Sequence, residues 1–253
     1  MACSKFEYVK HFENHTTLLR NTWIVVRLDG HSFHRFTSQH NFLKPNDPRA
    51  LHLASFAAQK CMEEFEEIVL AYGQSDEFSF LLRRSASLYK RREAKITSTL
   101  CSLFTSNYVF YWNKFFGPET RGEKDVIIPG QTLEPQELLY PPSFDARAYN
   151  TAFWALVQDK DTPHSEQKAQ AILKDTDSAA KNELLFSKYH INYNTLPEMY
   201  KKGSTLFRKP TVVTEVSSRD GREVQRTRNL IITEHRDIIG DPFWKGNPQI
   251  LQA

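Results

Sequence analysis

Residues 23 to 30 read WIVVRLDG, and residues 67 to 84 read EIVLAYGQSDEFSFLLRR. In each stretch a carboxylate stands where an apolar, strand-like run breaks: Asp29 in the first, Asp76 and Glu77 in the second. A charge at a strand end that packs on a core costs free energy unless something pairs with it. Two carboxylates brought together repel unless a cation lies between them. Magnesium suits that place. It is a hard ion that takes few carboxylates and completes its shell with water and phosphate oxygens. Gly30 has no side chain, so a backbone carbonyl or a ligand can come close there. Two such ions would stabilise the attacking and leaving oxygens of a phosphoryl or nucleotidyl displacement. The plainer alternative is that these acids cap turns or pair with Arg27 and Arg83 at the surface. The residues alone leave both readings open.

Cations bear on the same chemistry. Lys90, Arg91, Arg92 and Lys95 fall at the start of a long helical pattern, where the helix dipole favours acids. A cationic cluster at that end answers an external anion, a triphosphate or a nucleic-acid phosphate, or else it is a solvated face. Lys44 precedes a helix start and could reach a phosphate in the same way. Lys201, Lys202, Arg208, Lys209, Arg222, Arg226 and Arg228 form a later basic stretch that reads as surface solubility. His31, His34 and His40 crowd the segment after Asp29 without a second ligand at zinc spacing, which suits stacking on or hydrogen bonding to a nucleotide.

The elements that must position these groups follow from pattern. Residues 23–28 predict a strand that turns at Asp29-Gly30. Asp47-Pro48 predicts a helix cap and first turn, with Leu51, Ala54, Ala58, Cys61 and Phe65 on the buried face. The apolar runs on either side of Gly73–Asp76 predict a β-hairpin. Ile96, Leu100, Leu103, Phe104, Asn107, Phe110 and Tyr111 predict one stripe of a long helix. The glycines and prolines of 117–142 mark an irregular insert. Residues 149–158 and 162–189 read as helical, and Asp220-Gly221 signals a hairpin within 205–233. This order gives an α+β fold with a split βαβ core. Neighbouring strands in such a sheet would bring Asp29 and Asp76 to one edge. The expected division is a catalytic domain over 1–148 and a helical and hairpin region over 149–253 that packs on it.

At 253 residues with 40% hydrophobic and 25% charged content, the chain can bury a sizeable core in the ordinary globular way. The net charge of +3 neither demands nor excludes a polyanionic partner. Cys3, Cys61 and Cys101 are scattered and odd in number, which argues against a disulfide framework and for a reducing compartment. No apolar run approaches membrane-spanning length, and MACSKFEYVKHFENH has no targeting character. The expected location is cytoplasmic, with nucleus and mitochondrion open.

Several motifs, in order along the chain, resemble the tRNA-histidine guanylyltransferase family. They are SKFEYVKHFE, VVRLDGHSFHRF, FLKPND, AYGQSDEFSF, YKRREAKI, YPPSFDAR, KNELLFSKYHINYN and DIIGDPFW. The resemblance implies a fold similar to the palm of polymerases and nucleotide cyclases. It implies 3′-to-5′ nucleotidyl transfer: ATP adenylylates the tRNA 5′-monophosphate, the GTP 3′-hydroxyl attacks, AMP leaves, and pyrophosphate is then removed. Carried over by motif, Asp29, Asp76 and the Gly30 carbonyl would hold two magnesium ions, with Glu77 a supporting catalytic acid. Gly30, His31, Ser32, Phe33, His34, Lys44, Asp47 and Ser75 would bind nucleotide. Arg27, Arg92, Lys95, Lys181 and Asn182 would contact triphosphate or tRNA. The family resemblance also implies a homotetramer. One departure stands out. Arg147-Ala148 runs straight into Tyr149-Asn150-Thr151, where the family has a further strand segment and a tRNA-recognition helix. That predicts a sheet with one strand missing. It also leaves room for two other activities: a catalytically impaired tRNA- or nucleotide-binding variant, or a 3′-to-5′ polymerase repairing other tRNAs.

Overall fold

Residues 24–31 form a strand that lines the core because their apolar side chains alternate. Ile24, Val26 and Leu28 are buried on one face of strand β1 (Ile24–His31), and Arg27 and His31 are exposed. Asp29 and Gly30 continue this strand rather than turning out of it, since both find partners on a neighbouring strand. The computed structural model of the chain describes residues 8, 16–43, 46–118, 134–150, 197–216 and 223–252. A short helix α1 (Phe33–Gln39) follows, then α2 (Pro48–Glu64). The side chain of Asp47 accepts from the Arg49 N–H, and Pro48 occupies the first turn, as the Asn-Asp-Pro pattern predicts. Strands β2 (Ile68–Gln74) and β3 (Glu77–Leu82) form the predicted hairpin around Ser75-Asp76. Helix α3 (Glu93–Phe110) buries Ile96, Leu100, Phe104 and Tyr108. Phe110, predicted on that stripe, is 78% exposed. The buried row repeats every fourth residue, and Phe110 falls outside it. A short α4 (Trp112–Phe116) closes this region.

Strand β4 (Ser143–Asn150) overturns two expectations. The strand predicted to be missing at Arg147–Tyr149 is present, and Tyr149 and Asn150 belong to it rather than to a helix. It pairs antiparallel with β1 from Ile24↔Asn150 to His31↔Ser143. An unpaired β1 edge offers eight residues of backbone partners, and that outweighs the helical pattern of residues 149 and 150. Residues 151–158 and 162–189 lie outside the described residues. After α5 (Glu198–Lys202), strands β5 (Ser204–Val216) and β6 (Glu223–Glu234) pair from Thr205↔Glu234 to Val216↔Glu223. Short helices α6 (Asp241–Gly246) and α7 (Gln249–Gln252) come last.

The strands make one antiparallel sheet in the order β4-β1-β3-β2-β5-β6. One face carries α2, α3 and α4 over a large aromatic and aliphatic core. The other face has a smaller cluster built on Val69, Leu70, Phe207, Phe243 and Ile250. No helix among the described residues is long and apolar enough to cross a membrane.

Candidate active site

The end of β1 at Asp29 is the point where three strands and a turn present their polar groups. Alternation turns Arg27 and Asp29 away from the helices that cover Leu28. Register places Leu28 opposite Phe78 on β3, Asp29 opposite Asp145 on β4, and Gly30 opposite Phe144. Glu77, beside Phe78 on β3, forms an ion pair with Arg27 on this same open face. Asp76 sits in the turn before it. A Cβ added to Gly30 would come 2.8 Å from Asp76 Oδ2 and 2.7 Å from the Phe33 ring. Asp76 therefore leans over the one residue of β1 that has no side chain. Asp29 and Asp76 come near enough at this edge for the charge of Asp76 to act on Asp29.

The electrostatics follow from that convergence. Burial pushes the Asp29 carboxyl above its ordinary value, and the negative charges of Glu77, Asp76 and Asp145 push it further; Arg27 opposes them. A cation between the acids would relieve this repulsion. Two carboxylates and the backbone carbonyl of Gly30 are hard oxygen donors of the kind that fit magnesium. Among the described residues no group of three or more His, Cys, Asp and Glu side chains is arranged to hold a metal. An ion here would thus fill its shell with backbone, water and phosphate oxygens.

A cleft of about 220 Å³ opens beside the acids, lined by Ser75 and Asp76 on one side and Phe33, His34, Asn46 and Asp47 on the other. Phe33 is a fixed wall. Its ring centroid lies 5.1 Å from Phe36, 5.6 Å from Phe144 and 6.3 Å from Tyr108. Ser32 and Ser75 both adopt left-handed backbone, with φ of 52° and 58°, and the Ser32 hydroxyl makes no cap bond to α1. His31 is exposed at the end of β1. Asp47 lines the cleft, but its carboxylate is wholly buried and committed to the fold. Oδ1 accepts from the Arg49 backbone N–H at 3.0 Å and from Arg49 Nε at 3.0 Å. Oδ2 accepts from Leu43 N at 3.1 Å and Arg49 Nη2 at 2.7 Å. Arg49 also donates to the Glu134 carbonyl and lies over the Phe116 ring.

Other predicted residues are elsewhere. Lys44, Lys181 and Asn182 lie outside the described residues. Arg92 and Lys95 sit at the start of α3, where Arg92 bridges to Thr17, beyond the end of β1 opposite to Asp29. Asp145 and Arg147 were not singled out from sequence, yet the β4 register sets them beside Asp29 and Arg27. The alternation of Phe144, Ala146 and Ala148 with Asp145 and Arg147 is the signal that points to them.

The chain matches a family model described as tRNAHis guanylyltransferase over residues 6–152 and one described as Thg1 C terminal domain over residues 145–240. It is 44% identical to the Mus musculus protein "Probable tRNA(His) guanylyltransferase" over 287 positions, covering 99% of this chain and 89% of that one. It is 43% identical to tRNA(His) guanylyltransferase of Schizosaccharomyces pombe over 259 positions, covering 98% and 97%. The mouse alignment is longer than the 253 residues of this chain, so that relative carries segments this chain lacks. Among solved structures, the crystal structure of tRNA(His) guanylyltransferase from Saccharomyces cerevisiae superposes with a TM-score of 0.59 at 34% identity, covering 88% of this chain and 96% of that one. A bacterial tRNA(His) guanylyltransferase-like protein in complex with ATP shares the fold at TM-score 0.60 and 21% identity, covering 98% and 97%. The sheet, the acidic edge and these matches agree: the chain belongs to the tRNAHis guanylyltransferase family of nucleotidyltransferases.

Proposed function

We propose that this chain adds guanosine to the 5′ end of histidine tRNA. The observation that carries this reading is the approach of Asp76 to Gly30, next to Asp29, with Asp76 lining a cleft of about 220 Å³, in a chain of this family. An oxygen of the tRNA 5′-monophosphate attacks the α-phosphorus of ATP, and pyrophosphate leaves. The 3′-hydroxyl of GTP then attacks the adenylylated 5′ phosphate, AMP leaves, and removal of pyrophosphate yields the added 5′-monophosphate guanosine. Asp29, Asp76 and the Gly30 carbonyl would hold two magnesium ions, which when bound neutralise phosphate charge and lower the pKa of the attacking hydroxyl. Phe33 supplies an apolar wall for a base, and Ser75 and His34 supply polar contacts at its rim. Glu77 acts through Arg27, fixing that guanidinium on the open face where a phosphate approaches. Residues 1–148 form the catalytic part, and Lys181 and Asn182 within 149–253 contact tRNA in a homotetramer.

Incubation with 5′-phosphorylated histidine tRNA, ATP, magnesium and labelled GTP tests the reading. Label should enter the 5′ end and be lost in Asp76→Ala. Absence of label at every magnesium concentration overturns it. The greater length of the mouse relative favours one second reading, a tRNA-binding variant without turnover. Tight tRNA binding without label, unchanged by Asp76→Ala, would select that one.

A further inference from the structure

At the end of the sheet opposite Asp29, the entry to β1, the segment after β3 and the entry to α3 enclose a second cavity of about 510 Å³. Arg20, Arg84, Lys90 and Arg91 line it, with the hydroxyls of Ser85 and Ser87. The four cations come from separate parts of the chain and do different things. Arg91 is buried and builds the wall. Its guanidinium donates to the carbonyls of Ala86 at 2.8 Å, Thr22 at 2.9 Å and Leu18 at 3.3 Å. Arg84 donates Nε to the Asn21 carbonyl at 3.2 Å. Among the described residues its two terminal nitrogens have no hydrogen-bond or ion-pair partner. Arg20 and Lys90 are exposed, and among the described residues neither has a carboxylate partner. Glu67 is the acid whose charge acts on this group. Its oxygens already accept from Ser87 N at 2.9 Å, Ser87 Oγ at 3.3 Å and Leu88 N at 2.9 Å.

The backbone is arranged to keep Lys90 there. Tyr89, Lys90 and Arg91 are successive left-handed residues, with φ of 49°, 55° and 59°. Side chains with a Cβ resist this conformation, and the carbonyl bonds of Arg91 hold it. The turn sends Arg91 inward and leaves Lys90 at the cavity mouth. Four cations against one engaged carboxylate repel one another. A concave site of one sign concentrates anions from solution. Guanidinium groups match phosphate oxygens in bidentate pairs, and hydroxyls supply further donors.

We infer that this cavity is a phosphate-binding site distinct from the acidic edge, and that it takes backbone phosphates of the RNA substrate. For its ligand the inference rests on the proposed tRNA reading. The eight residues of β1 separate the two sites, roughly 25 Å at the usual strand rise. A long polyanion can occupy both places at once. A nucleotide cannot, although its terminal phosphates share the same chemistry and could fill the cavity alone.

The full chain and its Arg84→Ala, Lys90→Ala and double variants decide this, with Lys90→Arg as the charge-keeping control. Three readouts are taken: tRNA affinity against salt concentration, binding of inorganic tripolyphosphate, and guanosine addition at saturating tRNA. Each alanine should weaken tRNA binding about threefold to tenfold at low salt and flatten the log–log salt slope by roughly 0.7–0.9. Turnover at saturating tRNA should hold, and Lys90→Arg should bind like the parent. Loss of tripolyphosphate binding with tRNA affinity intact overturns the RNA assignment and gives the cavity to the phosphates of a nucleotide. Unchanged tRNA affinity and slope, with tripolyphosphate bound equally by parent and variants or by neither, overturns the inference. Guanosine addition that proceeds with affinity independent of the cavity sinks this inference alone. Cavity-dependent tRNA binding without addition sinks the proposed activity alone.

Discussion

Gly30 decides whether the two acids can meet. Any Cβ there would stand 2.7 Å from the Phe33 ring and 2.8 Å from Asp76 Oδ2, and Phe33 cannot retreat because rings surround it. Gly30→Ala should therefore displace Asp76 and lower guanosine addition by roughly 100-fold, the order that a misplacement of about 1 Å costs. Overpacking of about 1–3 kcal/mol should accompany this. Gly246→Ala is the control, because nothing lies within 4 Å of its Cβ position, and it should leave both melting temperature and turnover alone. A second prediction concerns charge. Asp29 stands opposite Asp145 and feels Glu77 and Asp76 as well. Asp29→Asn should raise the melting temperature of chelator-treated protein by about 1–3 °C, from a like-charge term of ~0.5–1 kcal/mol. Magnesium should raise the melting temperature of the parent and leave that of the variant where it is. A variant that melts lower than the parent in chelator would contradict the repulsion. The acids themselves were legible because strand and turn signals bracket them. Asp145 was not, since its place beside Asp29 comes from a pairing between strands that are distant in sequence. The inward direction of the Asp47 carboxylate was equally invisible, because a cap residue reads alike whether or not a neighbouring arginine claims it.

At the scale of elements, the entry to α3 shows how a charge run divides its labour. Lys90, Arg91 and Arg92 look equivalent in sequence, and only the left-handed turn separates the buried Arg91 from the exposed Lys90. Nothing in local propensity predicts three successive left-handed residues without glycine. Arg91 is 5% exposed and bonds carbonyls from the entry to β1 and the exit of β3. Burial lowers its pKa, and the nearby Glu67 partly restores it. Arg91→Ala would leave those carbonyls without a donor and remove what holds the turn. It should destabilise the protein by about 3 kcal/mol, a loss of roughly 6–12 °C in melting temperature. Lys90→Ala, a few ångströms away on the surface, should change stability by no more than about 0.5 kcal/mol. Equal losses in the two variants would refute the division. Strand β4 makes the complementary case. Its last residues carry a helical pattern, and the open edge of β1 recruits them into the sheet because backbone pairing over the full strand outweighs local preference.

At the scale of the whole molecule, one sheet carries two cores on opposite faces. The helical layer of α2 and α3 was legible from its spacing, and the short α4 was not. The second layer was not, because it depends on the pairing of β5 with β2, Leu70↔Phe207 to Gly73↔Ser204, between segments more than a hundred residues apart. The two cores meet the acidic edge unequally. Phe33 walls the cleft and packs, with Phe144, on the first core. The second core is built on Phe207 and Phe243, whose centroids lie 5.4 Å apart at right angles, and it contributes no wall to the cleft. Phe243→Ala should cost about 3–5 kcal/mol locally. Loss of that ring unpins α6 and α7 from the sheet. Hydrogen exchange should then accelerate over residues 238–252 and along the β5–β6 ribbon, while the amides of β1 and β3 keep their protection. Guanosine addition per folded molecule should change less than about twofold, since no group at the acidic edge moves. If protection falls evenly across both faces, or turnover falls with it, the second core is coupled to the site through β2 and β3, and the sheet unfolds as one unit.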